Sequence, residues 1–327
     1  MQHIKFNHTD LAVSPVCLGT VNYGTAMPEA EAKAQISKFL DAGGNFLDTA
    51  HIYGDWGEGP KCVSERVVGN WLRENGKRGQ LILATKGAHP DWGHMEIPRV
   101  NRKCIEKDLK ESLEYLNTDY IDLYFLHRDD PGTPVSEIME CLDDARKAGH
   151  IRYYGCSNWA LPRIKEAQAY CKEHGLQGFS CNQLMWSLAD INFFNLADKT
   201  FILMDEETRA YHAESGMNVM AYMSVAKGYF ARRAAGEALP ASVTEVYGNA
   251  SNDDIYGLMQ SIAAEGAYSI MDLTYMYIMA EKLFPSVPIA SFDNMSHLAD
   301  CVGALEKPIP EALIEKLAAR KKFVYWK

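Results

Sequence analysis

The strongest constraint on the fold of this chain is a regular alternation of short β-rich runs with amphipathic helical runs. The eight β-rich runs span residues 13–20, 45–50, 81–86, 121–127, 151–157, 179–184, 217–223 and 287–291. The stretches between them repeat apolar residues at helical spacing, and several end in Gly or Asn, as helices commonly do. Strands that alternate with helices form parallel sheets, because each helix carries the chain back to the same edge of the sheet.

The residues after the first predicted strand favour a closed barrel over an open, doubly wound sheet. They read LGTVNYGTAMPEAEA, which does not match the GxGxxG turn of a dinucleotide-binding sheet. We therefore predict an α/β fold, a (β/α)8 TIM barrel in which residues 1–327 form a single domain. IKF and LAV near the start predict an N-terminal β-hairpin. The piece between Ser224 and Gly266 predicts a long loop after strand 7, of a length typical of functional lids.

Composition and charge exclude several classes of protein. The 327 residues carry a formal net charge of −10 without a basic run, which argues against a nucleic-acid partner. No window reaches the roughly 20 apolar residues of a membrane span, and the polar start predicts no secretory signal. The eight cysteines lack a CxxC pair, which favours reduced thiols and a cytoplasmic location.

Four titratable residues fall at or just beyond predicted strand ends. Asp48 follows NFL, Lys86 closes LILAT, and His127 closes IDLYFL, while Tyr53 follows Asp48 by five positions. The active site of a barrel lies at the carboxyl ends of its strands. We therefore expect these four side chains to collect on one rim of an otherwise apolar barrel.

This set has the chemistry of carbonyl reduction. A tyrosine with a pKa of about 10 donates protons poorly near neutrality unless a nearby cation lowers that pKa. Lys86 could be the cation, Asp48 could keep it charged, and His127 could hydrogen-bond the substrate oxygen. Singly, each residue could equally be a cap, a packing contact or a satisfied core side chain. Their joint position predicts general acid catalysis by Tyr53.

Taken together, these segments resemble the aldo-keto reductase superfamily over nearly the whole chain. The resemblance is carried by CLGT with NYG, FLDTAHIYG, ILATKG, YIDLYFLHRDDP and GHIRYYGCSNW. It implies a (β/α)8 barrel, NAD or NADP as cofactor, and a monomer or small homo-oligomer. It also implies a catalytic tetrad, which falls on Asp48, Tyr53, Lys86 and His127.

The resemblance further implies residues that hold the nicotinamide ring. Ser157 and Asn158 of GCSNW, together with Gln183, correspond to the residues that grip the carboxamide. Tyr222 in MAYM corresponds to the aromatic ring that stacks on the nicotinamide. The alternative for all four residues is ordinary strand-end capping and barrel packing.

The chain departs from the family pattern where the rest of the cofactor would lie. Relatives often read YSPLxxG where this chain has YMSVAKG, so Ser224, Lys227 and Gly228 are shifted candidates for phosphate contacts. In PIASFDNMSHLADC, Asp293 stands near the position of a basic residue that pairs with the 2′-phosphate of NADP. A carboxylate there slightly favours NAD. Alternatively, Asp293 caps a helix that starts near Met295.

Aromatic and histidine residues near the predicted rim are candidates for the substrate pocket. They are Tyr23, Trp56, His89 and Trp159. Singly, each could be a surface or packing residue. Together they suggest a wide, partly polar pocket suited to a sugar or polyol. His89 and His94 lack the carboxylate or cysteine spacing of a metal site, so we predict no metal.

The sequence thus predicts an NAD(P)-dependent aldo-keto reductase or alcohol dehydrogenase, with a small-molecule carbonyl, alcohol or sugar substrate. Tyr53 is the predicted general acid or base. The alternative is a non-catalytic regulatory subunit of the same fold that only binds a nicotinamide nucleotide. Four intact tetrad positions favour the enzyme. The substrate and the physiological direction stay open, because pocket loops rather than the tetrad determine them.

Overall fold

The computed structural model describes residues 1–322, and its centre is a closed barrel of eight parallel strands. A two-stranded antiparallel hairpin, β1 (Ile4–Lys5) and β2 (Ala12–Val13), precedes the barrel. The barrel strands are β3 (Cys17–Gly19), β4 (Phe46–Asp48), β5 (Ile82–Gly87), β6 (Ile121–Leu126), β7 (Ile151–Ser157), β8 (Cys181–Met185), β9 (Asn218–Tyr222) and β10 (Ser286–Ala290). All eight predicted strands and the hairpin are confirmed.

Each barrel strand pairs with its neighbours in chain order, and β10 closes the ring against β3. At the closure, Ile289 pairs with Cys17. The strands read as nearly continuous apolar runs because helices cover their outer faces while side chains fill the interior. Phe6 of the hairpin region packs edge-on against Phe46, with ring centroids 5.8 Å apart. The hairpin therefore covers the amino-terminal end of the barrel.

Six helices follow the pattern that the amphipathic runs predict. They are α1 (Glu29–Asp41), α2 (Val63–Asn75), α3 (Arg102–Tyr115), α4 (Val135–Lys147), α5 (Leu161–His174) and α6 (Glu206–Ser215). Gly76, Gly175 and Gly216 end three of these helices with φ values of 63°, 67° and 68°. This left-handed conformation costs glycine little, which explains the glycine stop signals in the sequence.

The long connection after β9 is present as predicted, but most of it is helical rather than loop. It contains α7 (Tyr229–Ala234), α8 (Ala241–Tyr247), α9 (Ala250–Ala264) and α10 (Ile270–Met279). Local signals explain these helices. The Asn249 side chain caps α9, and Ser269 with Asp272 forms a capping box at α10.

The chain then passes through β10 and ends its described part with α11 (Met295–Leu305) and α12 (Glu311–Ala318). The N-cap of α11 is Asn294, whose side chain accepts a hydrogen bond from the backbone N–H of His297. Within residues 1–322, no helix is both long enough and apolar enough to cross a membrane.

Candidate active site

A cavity of about 880 Å³ opens at the carboxyl ends of the barrel strands. Its floor includes Asp48, Tyr53 and His127, and its walls continue to the connection after β9 and the start of α11. The volume lies in the upper part of the range for ligand pockets. The cavity therefore has room for an extended ligand that runs from the barrel mouth toward α11.

Lys86 joins two other predicted catalytic residues, Asp48 and Tyr53, into one hydrogen-bonded group. Its Nζ donates to Asp48 Oδ2 at 2.6 Å, to the Thr49 carbonyl oxygen at 2.8 Å and to Tyr53 Oη at 3.0 Å. The other Asp48 oxygen accepts from Gln183 Nε2 at 2.8 Å. All three N–H groups of the ammonium are thus used, which fixes the charge beside the phenol oxygen.

Burial and charge act in opposite directions on this group. Burial raises the pKa of Tyr53, and the charge of Lys86 works against that rise. Burial alone would lower the pKa of Lys86, but Asp48 and Tyr53 outweigh burial and raise that pKa. Lys86 therefore stays charged, and it stabilises the phenolate relative to the same buried tyrosine without a cation.

His127 lies beside this group as a neutral imidazole. Its ring centroid is 5.8 Å from that of Tyr53. Burial, followed by the neighbouring His89, Arg128 and Lys86, holds the pKa of His127 well below its usual value. Its Nδ1 atom is buried and has no hydrogen-bond partner within the described residues. A neutral imidazole can still donate one hydrogen bond to a substrate oxygen.

The four predicted nicotinamide contacts all line the cavity. Tyr222 Oη donates to Asn158 Oδ1 at 2.6 Å, and Asn158 Nδ2 donates to Ser157 Oγ at 3.1 Å. Gln183 Nε2 donates one hydrogen to Asp48, and within residues 1–322 Gln183 Oε1 has no hydrogen-bond partner, so it can accept from a ligand. The Ser157 hydroxyl and this oxygen offer the donor and the acceptor that a carboxamide requires.

The three predicted phosphate contacts differ in how free they are to bind a ligand. The Ser224 hydroxyl donates to the carbonyl oxygen of Ile289 at 2.7 Å, so its proton is already used. Lys227 is exposed, and both Lys227 and Gly228 lie in the cavity wall with φ values of 53° and 75°. Arg232 also lines the cavity.

Arg233, next to Arg232, points to different partners. It donates to Asp253 Oδ1 at 2.8 Å and to Tyr229 Oη at 2.9 Å. Of this arginine pair, only Arg232 lines the cavity. Asp293 lines the far end of the same cavity and is exposed, while the cap of α11 is Asn294. Capping therefore does not explain Asp293.

Two of the four predicted substrate contacts line the cavity, and two do not. Trp56 and His89 are in the wall. Tyr23 is buried and donates to Gln35 Oε1 at 3.0 Å, while the Trp159 indole donates to the Arg128 carbonyl oxygen at 3.0 Å. The structure therefore corrects the prediction for Tyr23 and Trp159, because the core holds both side chains.

Trp92, at the end of the rim segment that begins with His89, extends the aromatic wall, with its ring centroid 5.8 Å from that of Trp56. Other cavity residues were not predicted from the sequence. Arg128 lies on the floor, and Asp198 and Phe201 come from the segment between β8 and α6. Arg128 directly follows His127 in HRDDP, a signal that could have found it. The other segment has no periodicity that marks it.

A second polar cluster lies behind the segment that carries Tyr53. His51 Nδ1 is 3.2 Å from Glu65 Oε2, and His51 Nε2 is 3.2 Å from Glu111 Oε2 and 3.8 Å from Asp108 Oδ1. Burial alone would lower the His51 pKa, but its hydrogen bonds to Cys62 and Glu65 and the nearby carboxylates raise it to about 11. His51 is therefore an imidazolium that ties β4 to α2 and α3.

Comparisons with known proteins support the barrel fold. The model of the aldo/keto reductase family matches residues 15–321. Norsolorinic acid reductase B of Dothistroma septosporum is 27% identical over 95% of this chain and 79% of its own length. The structure is similar to that of the aldo-keto reductase AKR11C1 from Bacillus halodurans in its holo form, with a TM-score of 0.75. That similarity has 25% identity and covers 100% of this chain and 98% of the other.

Some relatives match over a smaller part. The uncharacterized oxidoreductase YrpG of Bacillus subtilis is 34% identical over 58% of this chain, and the match spans 59% of that protein. Similarity to such relatives therefore covers only part of their length.

Proposed function

The chain belongs to the aldo/keto reductase family, and on that premise we propose that it transfers hydride between NAD or NADP and a carbonyl or alcohol substrate. The observation that carries this proposal is the position of Lys86, which hydrogen-bonds Asp48 and Tyr53 at the floor of the cavity. A cation fixed beside a phenol at the end of an open cavity serves proton transfer to a ligand.

We assign the proton transfer to Tyr53. In reduction, its Oη gives a proton to the substrate oxygen as the carbonyl carbon gains hydride, and solvent later returns the proton to the phenolate. Lys86 stabilises that phenolate, and Asp48 keeps Lys86 charged and oriented. The neutral His127 donates a hydrogen bond to the same substrate oxygen. In oxidation, the same residues act in reverse.

The residues in the cavity wall fit a nicotinamide dinucleotide. The Ser157 hydroxyl and Gln183 Oε1 complement its carboxamide, and the Tyr222 ring can lie against the nicotinamide. Lys227 and Arg232 bring positive charge to the stretch where the phosphates would lie. The bound cofactor supplies or accepts the hydride. Asp293, at the far end, favours a free ribose hydroxyl and therefore NAD.

The residues of the pocket wall define the substrate less narrowly than they define the cofactor. Trp56 and Trp92 provide aromatic faces, while His89 and Arg128 provide polar groups beside the floor. Aromatic faces stack on the apolar face of a sugar as well as on other flat groups. This combination supports a sugar or polyol as the substrate.

The test is a panel of aldehydes, ketones, sugars and polyols, assayed with both cofactors by the absorbance of reduced nicotinamide. We expect the wild type to turn over at least one of these compounds. In the Tyr53→Phe variant, kcat should be about 10²–10⁴-fold lower while the affinity for the cofactor stays almost unchanged. Cofactor binding without turnover of any compound would contradict the proposal and favour the non-catalytic regulatory subunit.

A further inference from the structure

His89 lies in the cavity wall next to the proposed catalytic histidine. It follows β5 by two residues and lines the cavity. Its ring centroid is 4.7 Å from that of His127, and the two rings are inclined at 63°. The proposed chemistry assigns no role to this second imidazole, although it lies beside the position of the reacting oxygen.

The hydrogen bonds of His89 determine its tautomer. Nδ1 lies 2.7 Å from the carbonyl oxygen of Pro90. A carbonyl oxygen only accepts hydrogen bonds, so Nδ1 carries the proton and Nε2 carries a lone pair. Burial, and then the charge of Arg128, lowers the pKa of His89 to about 4, so the ring is neutral at neutral pH. Within residues 1–322, Nε2 has no hydrogen-bond partner.

Arg128 supplies the complementary group on the same floor. Its Nε donates to Thr200 Oγ1 at 2.8 Å, one terminal nitrogen to the His127 carbonyl oxygen at 2.8 Å, and the other to Asp198 Oδ2 at 2.8 Å. Arginine has five N–H donors, so one N–H remains on each terminal nitrogen. These contacts hold the guanidinium in place at the cavity floor.

We propose that His89 and Arg128 form a subsite for a substrate hydroxyl, and that the preferred substrates carry this hydroxyl on the carbon next to the carbonyl. A hydroxyl can donate to His89 Nε2 and accept from Arg128 at the same time. A group that only donates or only accepts can satisfy just one of these two residues. The inference rests on the proposed function, because Tyr53 and His127 fix where the carbonyl oxygen lies.

The two imidazoles explain why the neighbouring carbon is selected. Their rings are in contact, so two oxygens on adjacent carbons can each face one ring. An aldehyde without this hydroxyl leaves Nε2 of His89 unpaired in a largely desolvated site. Sites built to bind a hydroxyl reject analogues that lack it for this reason.

The experiment compares 2-hydroxypropanal, propanal and 3-hydroxypropanal as substrates, with NADH and with NADPH. We expect kcat/KM for 2-hydroxypropanal to exceed that for propanal by about tenfold, and 3-hydroxypropanal to behave like propanal. In His89→Phe, which keeps an aromatic ring but removes the acceptor, this ratio should fall by about tenfold. Comparing the ratio between variants cancels the intrinsic reactivity of each aldehyde.

Two further variants serve as controls. His89→Gln, which restores a carbonyl acceptor, should recover part of the ratio, and it serves if His89→Phe does not fold. The exposed His94, which does not line the cavity, gives the matched control His94→Phe, and its ratio should equal that of the wild type.

Three results would overturn the inference. They are a wild-type ratio near one, a ratio that His89→Phe and His89→Gln leave unchanged, or no reduction of any of the three aldehydes while other carbonyls are reduced. All three leave the proposed hydride transfer standing. Absence of turnover with every carbonyl and both cofactors would instead refute the proposed function itself.

Discussion

Each end of the barrel holds a buried carboxylate beside a cation, Asp122 at the amino ends of the strands and Asp48 at the carboxyl ends. Asp122 accepts hydrogen bonds from Arg78, from Arg152 and from the backbone N–H of Leu83. Asp48 accepts from Lys86 and Gln183. Neither carboxylate is left without partners, so burial and pairing alone do not distinguish the two ends.

The difference lies in the groups next to the two carboxylates. At the amino end, Arg152 also donates to both carboxylate oxygens of Asp10 at 2.8 Å. The hairpin covers this end of the barrel. At the carboxyl end, the chain of contacts stops at the Tyr53 hydroxyl, which lies at an open cavity. His127 lines the same cavity, and within residues 1–322 its buried Nδ1 has no hydrogen-bond partner. A hydroxyl that can still donate a hydrogen bond into a cavity thus distinguishes the proposed functional end from the amino end, where the carboxylate and its cations are paired with one another.

Replacing Lys86 should have the largest effect on turnover, and it tests whether the carboxyl end of the barrel is catalytic. Lys86→Met should lower kcat by about 10²–10⁴-fold, because the phenolate of Tyr53 loses its cation. Lys86 lowers the Tyr53 pKa, so in the variant that pKa rises and the alkaline limb of the pH–rate profile moves to higher pH. An unchanged profile in a variant with measurable activity would exclude this role of Lys86.

Replacing Asp122 tests the amino end, where stability rather than turnover should change. Asp122→Asn leaves Arg78 and part of the charge of Arg152 without compensation, so we expect a loss of about 3 kcal/mol in the free energy of unfolding. The kcat of the folded variant should stay close to that of the wild type. Asp119→Asn is the matched control, because Asp119 is exposed nearby and should change stability by less than about 0.5 kcal/mol. A large fall in kcat for Asp122→Asn would break the comparison.

Substitutions at the far end of the cavity should change the preference between NAD and NADP, by smaller factors than the loss of kcat expected for Lys86→Met. We expect a modest preference of the wild type for NAD, and Asp293→Arg should shift the ratio of kcat/KM values about tenfold toward NADP. Arg232→Ala should weaken NADP more than NAD, whereas Arg233→Ala, its control, should change neither because Asp253 and Tyr229 hold Arg233. A strong wild-type preference for NADP would contradict the role of Asp293 and indicate Arg232 as the phosphate site.

The His51 cluster should affect the pH dependence of stability and have the least effect on turnover. The His51 pKa is raised to about 11 in the folded protein from an ordinary value near 6.5. Its contribution is therefore complete below about pH 6.5 and is lost as pH rises toward 11. The Tm difference between wild type and His51→Gln should shrink between pH 7 and pH 10. A difference that stays constant would show that His51 is not charged.

Most of the fold could be predicted from the sequence, because strand and helix periodicities are local. The connection after β9 was harder to assign, since its helices are short and depend on caps such as Asn249 and Ser269. Residues at strand ends, such as Asp48 and Lys86, were found because barrel topology brings strand ends together.

Residues whose position depends on long-range packing could not be placed in this way. Tyr23 and Trp159 look like pocket residues in the sequence, but their hydrogen bonds to Gln35 and Arg128 turn them into the core. Asp198 reaches the cavity only because it pairs with Arg128, 70 positions earlier in the chain. Sequence periodicity carries no information about such a contact.

Under the proposed function, the nicotinamide bound at the open end of the barrel transfers hydride while Tyr53 transfers the proton. The most direct measurement uses reduced nicotinamide in which both C4 hydrogens are replaced by deuterium, a carbonyl substrate from the panel, and mass spectrometry of the product. We expect the wild type to place one deuterium on the carbon of the new alcohol, and Tyr53→Phe to form this product at least about 100-fold more slowly. An alcohol without deuterium, or equal rates for the two proteins, would contradict the proposed function.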